Sequence, residues 1–303
     1  MPREFIKSKR GGYYLHVYNH ITSSTPKDYP LSDIIHQDKF FAICRRYLSK
    51  YNLELISIVC MGNHYHMIIY CPEEQMTPEQ SEAAYRFFHE NDKYQKTIDL
   101  ESHETKHVQQ FCNDISEYMR EIQRAYSFWY NKTCPYDRSG HLWKSRFQSQ
   151  PIESSAYLWA CLKYVEMNPV RAGICPFPEN FLGSTFGRWH ASGNHIFEKS
   201  FTKHIISLCH DSANVTIDDF KEYMTKELAR YSYSDKMKEI LSQGEKTKAD
   251  ALEETFSEQF ENDKLNIEII AFSVRDFHSK KFIGSKQYIQ NCYQEWIKSR
   301  PPK

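Results

Sequence analysis

Hydrophobic positions recur along this chain with two periods, and the change from one to the other outlines its elements. GGYYLHVYNHIT (11–22), rich in Tyr and Val, predicts a strand. In DKFFAICRRYLSKYN (38–52), Phe41, Cys44, Leu48 and Tyr51 fall at helical spacing, with Asp38 available at the start. LELISIVCMGNHYHMIIY (53–70) predicts two strands broken near Met61–Asn63 by a hairpin or bend. The polar stretch 73–104 contains a helix begun by Pro78, PEQSEAAYRFFHEN. VQQFCNDISEYMREIQRAYSFWYN (108–131) predicts a long helix that buries Phe111, Ile115, Met119, Ile122, Tyr126 and Trp129. After the turn CPYDRSG, HLWKSRFQSQPI predicts a strand, and SSAYLWACLKYVEMN (154–168) predicts a helix stopped by Pro169. GICPFPENFLGSTF (173–186) has the composition of a loop. Together these predict an α+β domain built on an antiparallel sheet over residues 1–190, with the acidic insertion 73–104.

From about residue 195 the pattern is helical. Phe220, Met224 and Leu228 repeat every four residues, as do Leu252, Phe256 and Phe260. GSKQYIQNCYQEWIK predicts a last helix capped by Ser285, and 242–250 reads as a linker or loop. Residues 195–303 are thus expected to form a mostly helical C-terminal domain or extension.

Composition refines this picture. Lys+Arg and Asp+Glu are both 39, so gross basicity does not advertise a polyanion partner. The balance is local: 73–104 is acidic, whereas 1–50 and 120–190 carry a basic excess that can meet phosphates. No apolar run approaches the roughly 20 residues of a membrane span, and the first residues lack a signal-peptide core, so a cytoplasmic location is expected. Nine cysteines without a CxxC pair read as buried small hydrophobes and not as a structural zinc site.

Two small constellations carry candidate chemistry. His64 and His66, one residue apart on a predicted strand, share a face and can share one divalent metal, with Tyr65 pointing the other way. Such a pair needs at least one further ligand. Tyr164 and Asn168, four apart, share a helix face. A phenol can act as nucleophile and an amide oxygen can ligate Mg²⁺ or Mn²⁺; equally, Tyr164 can be core packing and Asn168 a helix end.

HYHMII (64–69), YNKTCPYDRSGHLWKSRF (130–147), YVEMNPVRAG (164–173) and FLGSTF (181–186) together resemble the REP-associated tyrosine transposases, members of the single-tyrosine HUH transposase superfamily. The resemblance covers roughly residues 10–190, and KKFIGSKQYIQ (280–290) resembles a segment near the end of longer members. It implies a ferredoxin-like HUH nuclease fold, Mg²⁺ or Mn²⁺ held by His64, His66 and Asn168, and Tyr164 as the catalytic tyrosine. It further implies that the substrate is single-stranded DNA with hairpin structure, nicked through a 5′-phosphotyrosyl link and joined by strand transfer, in a nucleoid-associated enzyme. The acidic stretch and the long C-terminal region depart from a minimal member and leave the DNA path and autoinhibition open; monomer and homodimer both remain open.

Beside the site, Lys7, Lys9 and Arg10 form a basic arm. Arg120, Arg124, Arg138, Lys144, Arg146 and Arg171 are candidate phosphate contacts, with Lys280, Lys281 and Lys286 as a basic cluster near the last helix. Tyr13, Tyr14, Trp143 and Phe147 are candidates for base stacking, with Trp143 the better core anchor. Two other readings share these residues: a hairpin-binding protein of the same fold that does not cut, and a metal-dependent nuclease without a covalent intermediate.

Overall fold

Alternation along four strands decides the architecture. The computed structural model describes residues 12–22, 29–89, 106, 109–134, 141–209, 212–242, 248 and 282–298. The strands β1 (Tyr13–His20), β2 (Glu54–Cys60), β3 (His64–Cys71) and β4 (Gln148–Ile152) form one sheet in the order β2-β3-β1-β4. Every adjacent pair is antiparallel. The β2–β3 turn lies at the predicted break, where Gly62 has φ +82°; an added Cβ there would come within 2.7 Å of the Ser32 hydroxyl, so only glycine suits the position.

Helix α1 (Ile34–Leu48) joins β1 to β2, and α2 (Pro78–His89) and α3 (Ile115–Thr133) lie between β3 and β4. Helix α4 (Ser155–Glu166) runs into a single further turn, α5 (Asn168–Arg171). Then follow α6 (Thr185–Ser192), α7 (Glu198–His204), α8 (Ile217–Ser242) and α9 (Lys286–Lys298). The result is an α+β domain with a four-stranded antiparallel sheet and packed helices, followed by a mostly helical region.

Each face of the sheet has its own core. Leu15, Val17, Tyr65, Met67 and Ile69 point to one side and pack with α1 and α3 through Phe40, Phe41, Tyr118, Met119, Ile122 and Tyr126. Burial of each such side chain stabilises by about 1.5–3 kcal/mol. On the other side Ile56, Val59, Ile68 and Ile152 meet α4, and α4 in turn meets Phe186, Trp189, Phe201, Phe220, Met224 and Leu228. Residues of α4 are buried on nearly every side, as expected of a helix apolar all round and enclosed between layers.

Several boundaries differ from the sequence reading, each for a local reason. Helix α1 starts at Ile34, ahead of the predicted start at Asp38. Asp33 is its N-cap, accepting a bond from the Ile35 amide at 2.7 Å. The long helix expected from 108 is interrupted: residues 109–111 are helical, a turn follows at 112–113, and the long helix starts at Ile115. Asp114 caps it through the Ser116 amide, and the Asn113 side-chain amide is drawn off to the carbonyls of Pro72 and Glu74. Pro169 does not stop the helical path; it sits in the first turn of α5, where its missing N–H costs nothing. The segment 141–147 is irregular, touching the sheet only at the Ile21–Trp143 bridge before β4 begins. Ser285 caps α9 as expected, its hydroxyl accepting from the Tyr288 amide at 3.2 Å. Leu252, Phe256 and Phe260 lie outside the described residues, as does most of 242–250. All nine cysteines are free, and seven of them are buried.

Candidate functional site

The face of β1 and β3 that turns away from α1 and α3 carries imidazoles where the opposite face carries aliphatics. Cross-strand register places Tyr18 opposite His66 and His20 opposite His64. His64 and His66 lie side by side, ring centroids 5.1 Å apart. Tyr65, between them, is fully buried on the other face and accepts a bond from the Gln123 amide at 2.7 Å.

A chain of hydrogen bonds fixes the tautomers. His16 Nδ1–H donates to Gln150 Oε1 at 2.6 Å, so His16 Nε2 is an acceptor. His66 Nδ1–H donates to that acceptor at 2.9 Å, which leaves the lone pair of His66 on Nε2. His64 Nδ1–H donates to Asn63 Oδ1 at 2.6 Å, with the same outcome. Both histidines are therefore held as donors of an Nε2 lone pair, each oriented by a bond from its other nitrogen. His16 and Gln150 are buried, so this relay works in a low-dielectric setting.

Helix α4 brings Tyr164 onto the same face. Its ring stands edge-on to His66, centroids 6.1 Å apart, and to His16 at 6.0 Å. Burial raises the Tyr164 phenol above its usual range, and the nearby Arg171 guanidinium opposes that shift. Arg171 lies 5.4 Å from the centre of the Tyr164 ring. Asn168 is buried one turn beyond and spends its amide nitrogen on the carbonyls of Tyr164 (3.0 Å) and Val165 (3.2 Å). The neighbours of Tyr164 on α4 face elsewhere. Glu166 accepts from Ser57 at 2.6 Å, and burial pushes its carboxyl up to about 7. Lys163 pairs with Glu227 at 3.3 Å.

Other tyrosines sort by location. Tyr126 and Tyr130 belong to the core across the sheet, and Tyr157 packs at the edge of the α4 cluster. Tyr18 is the neighbour that sequence reasoning missed: its ring lies 5.4 Å from His16 and 5.9 Å from His66. His16, His20 and Gln150 were missed as well. The signal for the β1 residues is the alternation HVYNH, which puts His16, Tyr18 and His20 on one face and Val17 and Asn19 on the other.

The basic candidates divide between the two sides of the sheet. Lys144 lies at the rim of the histidine face, its amide bonded to the His20 carbonyl at 2.9 Å, and Arg146 follows in the same exposed segment. Lys286 is exposed at the start of α9. Arg120 and Arg124 stand on the outer surface of α3, with the sheet between them and Tyr164. Lys7, Lys9, Arg10, Arg138, Lys280 and Lys281 lie outside the described residues. Trp143 packs against Phe40, Tyr65 and Tyr126 and donates to the Gln123 carbonyl at 3.0 Å, as a core anchor does. Tyr13 and Phe147 pack against the same core, and the Tyr14 hydroxyl shares a hydrogen bond with His204 Nδ1 at 3.0 Å.

Among the described residues no group of three or more His, Cys, Asp or Glu is placed to hold a metal ion by itself, and no helix is long and apolar enough to cross a membrane. No family model matches the chain, and no curated protein matches it. Among solved structures, the chain is similar to a REP-associated tyrosine transposase bound to a REP hairpin, at 18% identity and a TM-score of 0.37, over 61% of this chain and 82% of that one.

Proposed function

We propose that this chain is a metal-dependent enzyme that nicks single-stranded DNA at hairpin-associated sites and transfers the strand, with Tyr164 as nucleophile. The observation that carries the reading is the meeting of Tyr164 with His66, one of two neighbouring histidines whose tautomers are fixed to present Nε2. The strand order β2-β3-β1-β4, with the pair on an inner strand, suits the ferredoxin-like HUH fold implied by the sequence motifs. Residues 1–190 would be the catalytic unit, with Phe201, Phe220, Met224 and Leu228 from beyond it packing into its second core.

The residues fit Mg²⁺ or Mn²⁺: two imidazole nitrogens from His64 and His66, and the amide oxygen of Asn168, whose nitrogen is already engaged. Such an ion, when bound, supplies charge stabilisation at the scissile phosphate. The remaining work falls to the chain. Tyr164 attacks phosphorus as its phenolic proton leaves; a P–O bond to the tyrosine forms, the bond to the 3′ oxygen breaks, and that oxygen departs as a 3′-OH. A 3′-OH attacking the phosphotyrosyl link reverses the step and joins strands. Arg171 favours the phenolate that the buried setting disfavours.

The test is capture of the covalent intermediate. Wild-type protein with Mn²⁺ and single-stranded hairpins from beside its own gene should give an adduct that maps to Tyr164. Tyr164→Phe should bind the same hairpins and give none. An adduct on Tyr18 or Tyr157, or nicking without any adduct, overturns the assignment; the last result indicates a hydrolase, and binding without cleavage indicates a hairpin-binding protein.

A further inference from the structure

We infer that the surface on the far side of the sheet from Tyr164, the groove between α1 and α3, is a second binding surface for unpaired single-stranded DNA. The groove measures about 680 Å³. Five cations line it: Lys39 and Arg46 from α1, and Arg120, Arg124 and Lys132 from α3. Its one carboxylate, Glu121, is already spent, accepting from Lys50 at 2.8 Å and from Tyr51 at 2.9 Å. Arg120 is held by Glu117 on its own helix. Among the described residues no carboxylate pairs with Lys39, Arg124 or Lys132, so this positive charge faces solvent. A chain of zero net charge thus gathers five cations around one groove between two helices.

The aromatic content narrows the partner. Phe128, in the groove wall, is 63% exposed, an unusual setting for so apolar a ring. Lys132 lies 4.4 Å from its centre, and Lys39 lies 5.7 Å from the centre of the half-buried Trp129. Cations beside an exposed ring, Phe128, suit a phosphodiester backbone whose bases are free to stack. Duplex DNA hides its base faces, and an acidic peptide gives the rings nothing to stack on. Ala42, Ile43 and Ala125 complete the lining with apolar surface. This surface does not depend on the chemistry assigned to Tyr164, because the sheet separates the two.

The experiment measures binding of a fluorescent unstructured dT20 strand to the full chain, by anisotropy over a salt series. Arg124→Glu/Lys132→Glu should weaken binding by at least tenfold and lower the salt slope by about 1.4, about 0.7 for each lost phosphate contact on a single strand. Phe128→Ala should weaken binding by about fivefold with the slope unchanged. All three substituted residues are exposed, so circular dichroism melting should match the wild type. The titrations are run in EDTA, without divalent metal, so that nicking chemistry is off and this result stays separate from the outcome of the adduct experiment. Unchanged dT20 affinity in the double variant overturns the proposal, as does displacement of dT20 by polyglutamate at equal charge concentration.

Discussion

The two faces of one sheet have the same strands, the same register and opposite occupations. Odd-numbered residues of β1 and β3, among them Leu15, Val17, Tyr65, Met67 and Ile69, are fully buried in the α1–α3 core. Even-numbered residues give His16, Tyr18, His20, His64 and His66 at one end and Ile68 at the other. Because the side-chain period of a strand is two, one stretch of sequence builds a rigid wall and hangs a reactive cluster on its back. Stability and chemistry should therefore respond separately to substitutions one residue apart.

The largest expected effect is on the wall. Tyr65→Ala empties a fully buried site and should cost about 4 kcal/mol in denaturant unfolding, with loss of the Gln123 bond adding to the cavity. A loss under about 1 kcal/mol would mean that the face tolerates collapse and is not the rigid support described. By contrast, Tyr164→Phe removes one oxygen and should change unfolding little while abolishing the adduct.

Next is Glu166. Its carboxyl is raised to about 7 by burial against an ordinary 4.5, so between those values the unfolded state releases a proton that the folded state keeps. Stability should fall as pH rises through this window, by roughly 3 kcal/mol at most. Glu166→Gln should flatten that slope in melting curves taken across the window; an unaltered slope assigns it to another group.

The relay behind the histidines should be worth less to folding than to the site. His16→Leu leaves His66 without its orienting acceptor, and Mn²⁺ affinity measured by titration calorimetry should drop roughly 10- to 100-fold. The double variant His64→Ala/His66→Ala should lose stability as well as activity. His66 is buried and bonded to His16, so a cost of about 1–2 kcal/mol is expected on top of lost cleavage. The smallest effect concerns Arg171. Its guanidinium lowers the Tyr164 phenol, so Arg171→Ala should raise that pKa and move the pH–rate profile of nicking to higher pH. A profile that stays in place would remove Arg171 from the site's electrostatics.

What was legible in the sequence follows from local physics. Period-two patterning located β1, β2, β3 and the turn at Gly62, and the motif YVEMNPV located the helix that meets them. The juxtaposition of Tyr164 with His66 was expected only through resemblance, since nothing in the spacing of residues 98 positions apart encodes it. His16 and Gln150 were not legible, because their role is a hydrogen-bond chain across three strands, set by register. The position of Arg120 and Arg124 was not legible either: a helix face cannot be assigned to one side of a sheet until the crossover is known.

The sheet has two edge strands, and both are closed by chain that follows the domain core. Val59 on β2 bridges to Ser184, and the Cys60 amide bonds to the Gly183 carbonyl. On β4, Pro151 has no amide to offer, but its carbonyl accepts the Ile283 amide at 2.9 Å; the Glu153 amide then bonds to the Ile283 carbonyl, and the Glu153 carboxylate takes up Ser285. During synthesis the β2 edge can thus be sealed soon after its sheet forms, whereas the β4 edge waits for a segment about 130 residues later. Among the described residues, the β4 edge finds its backbone partner at Ile283, and a strand edge without a partner can pair with another copy. Chains truncated before Ile283 should therefore show more concentration-dependent association than the full chain, as measured by light scattering.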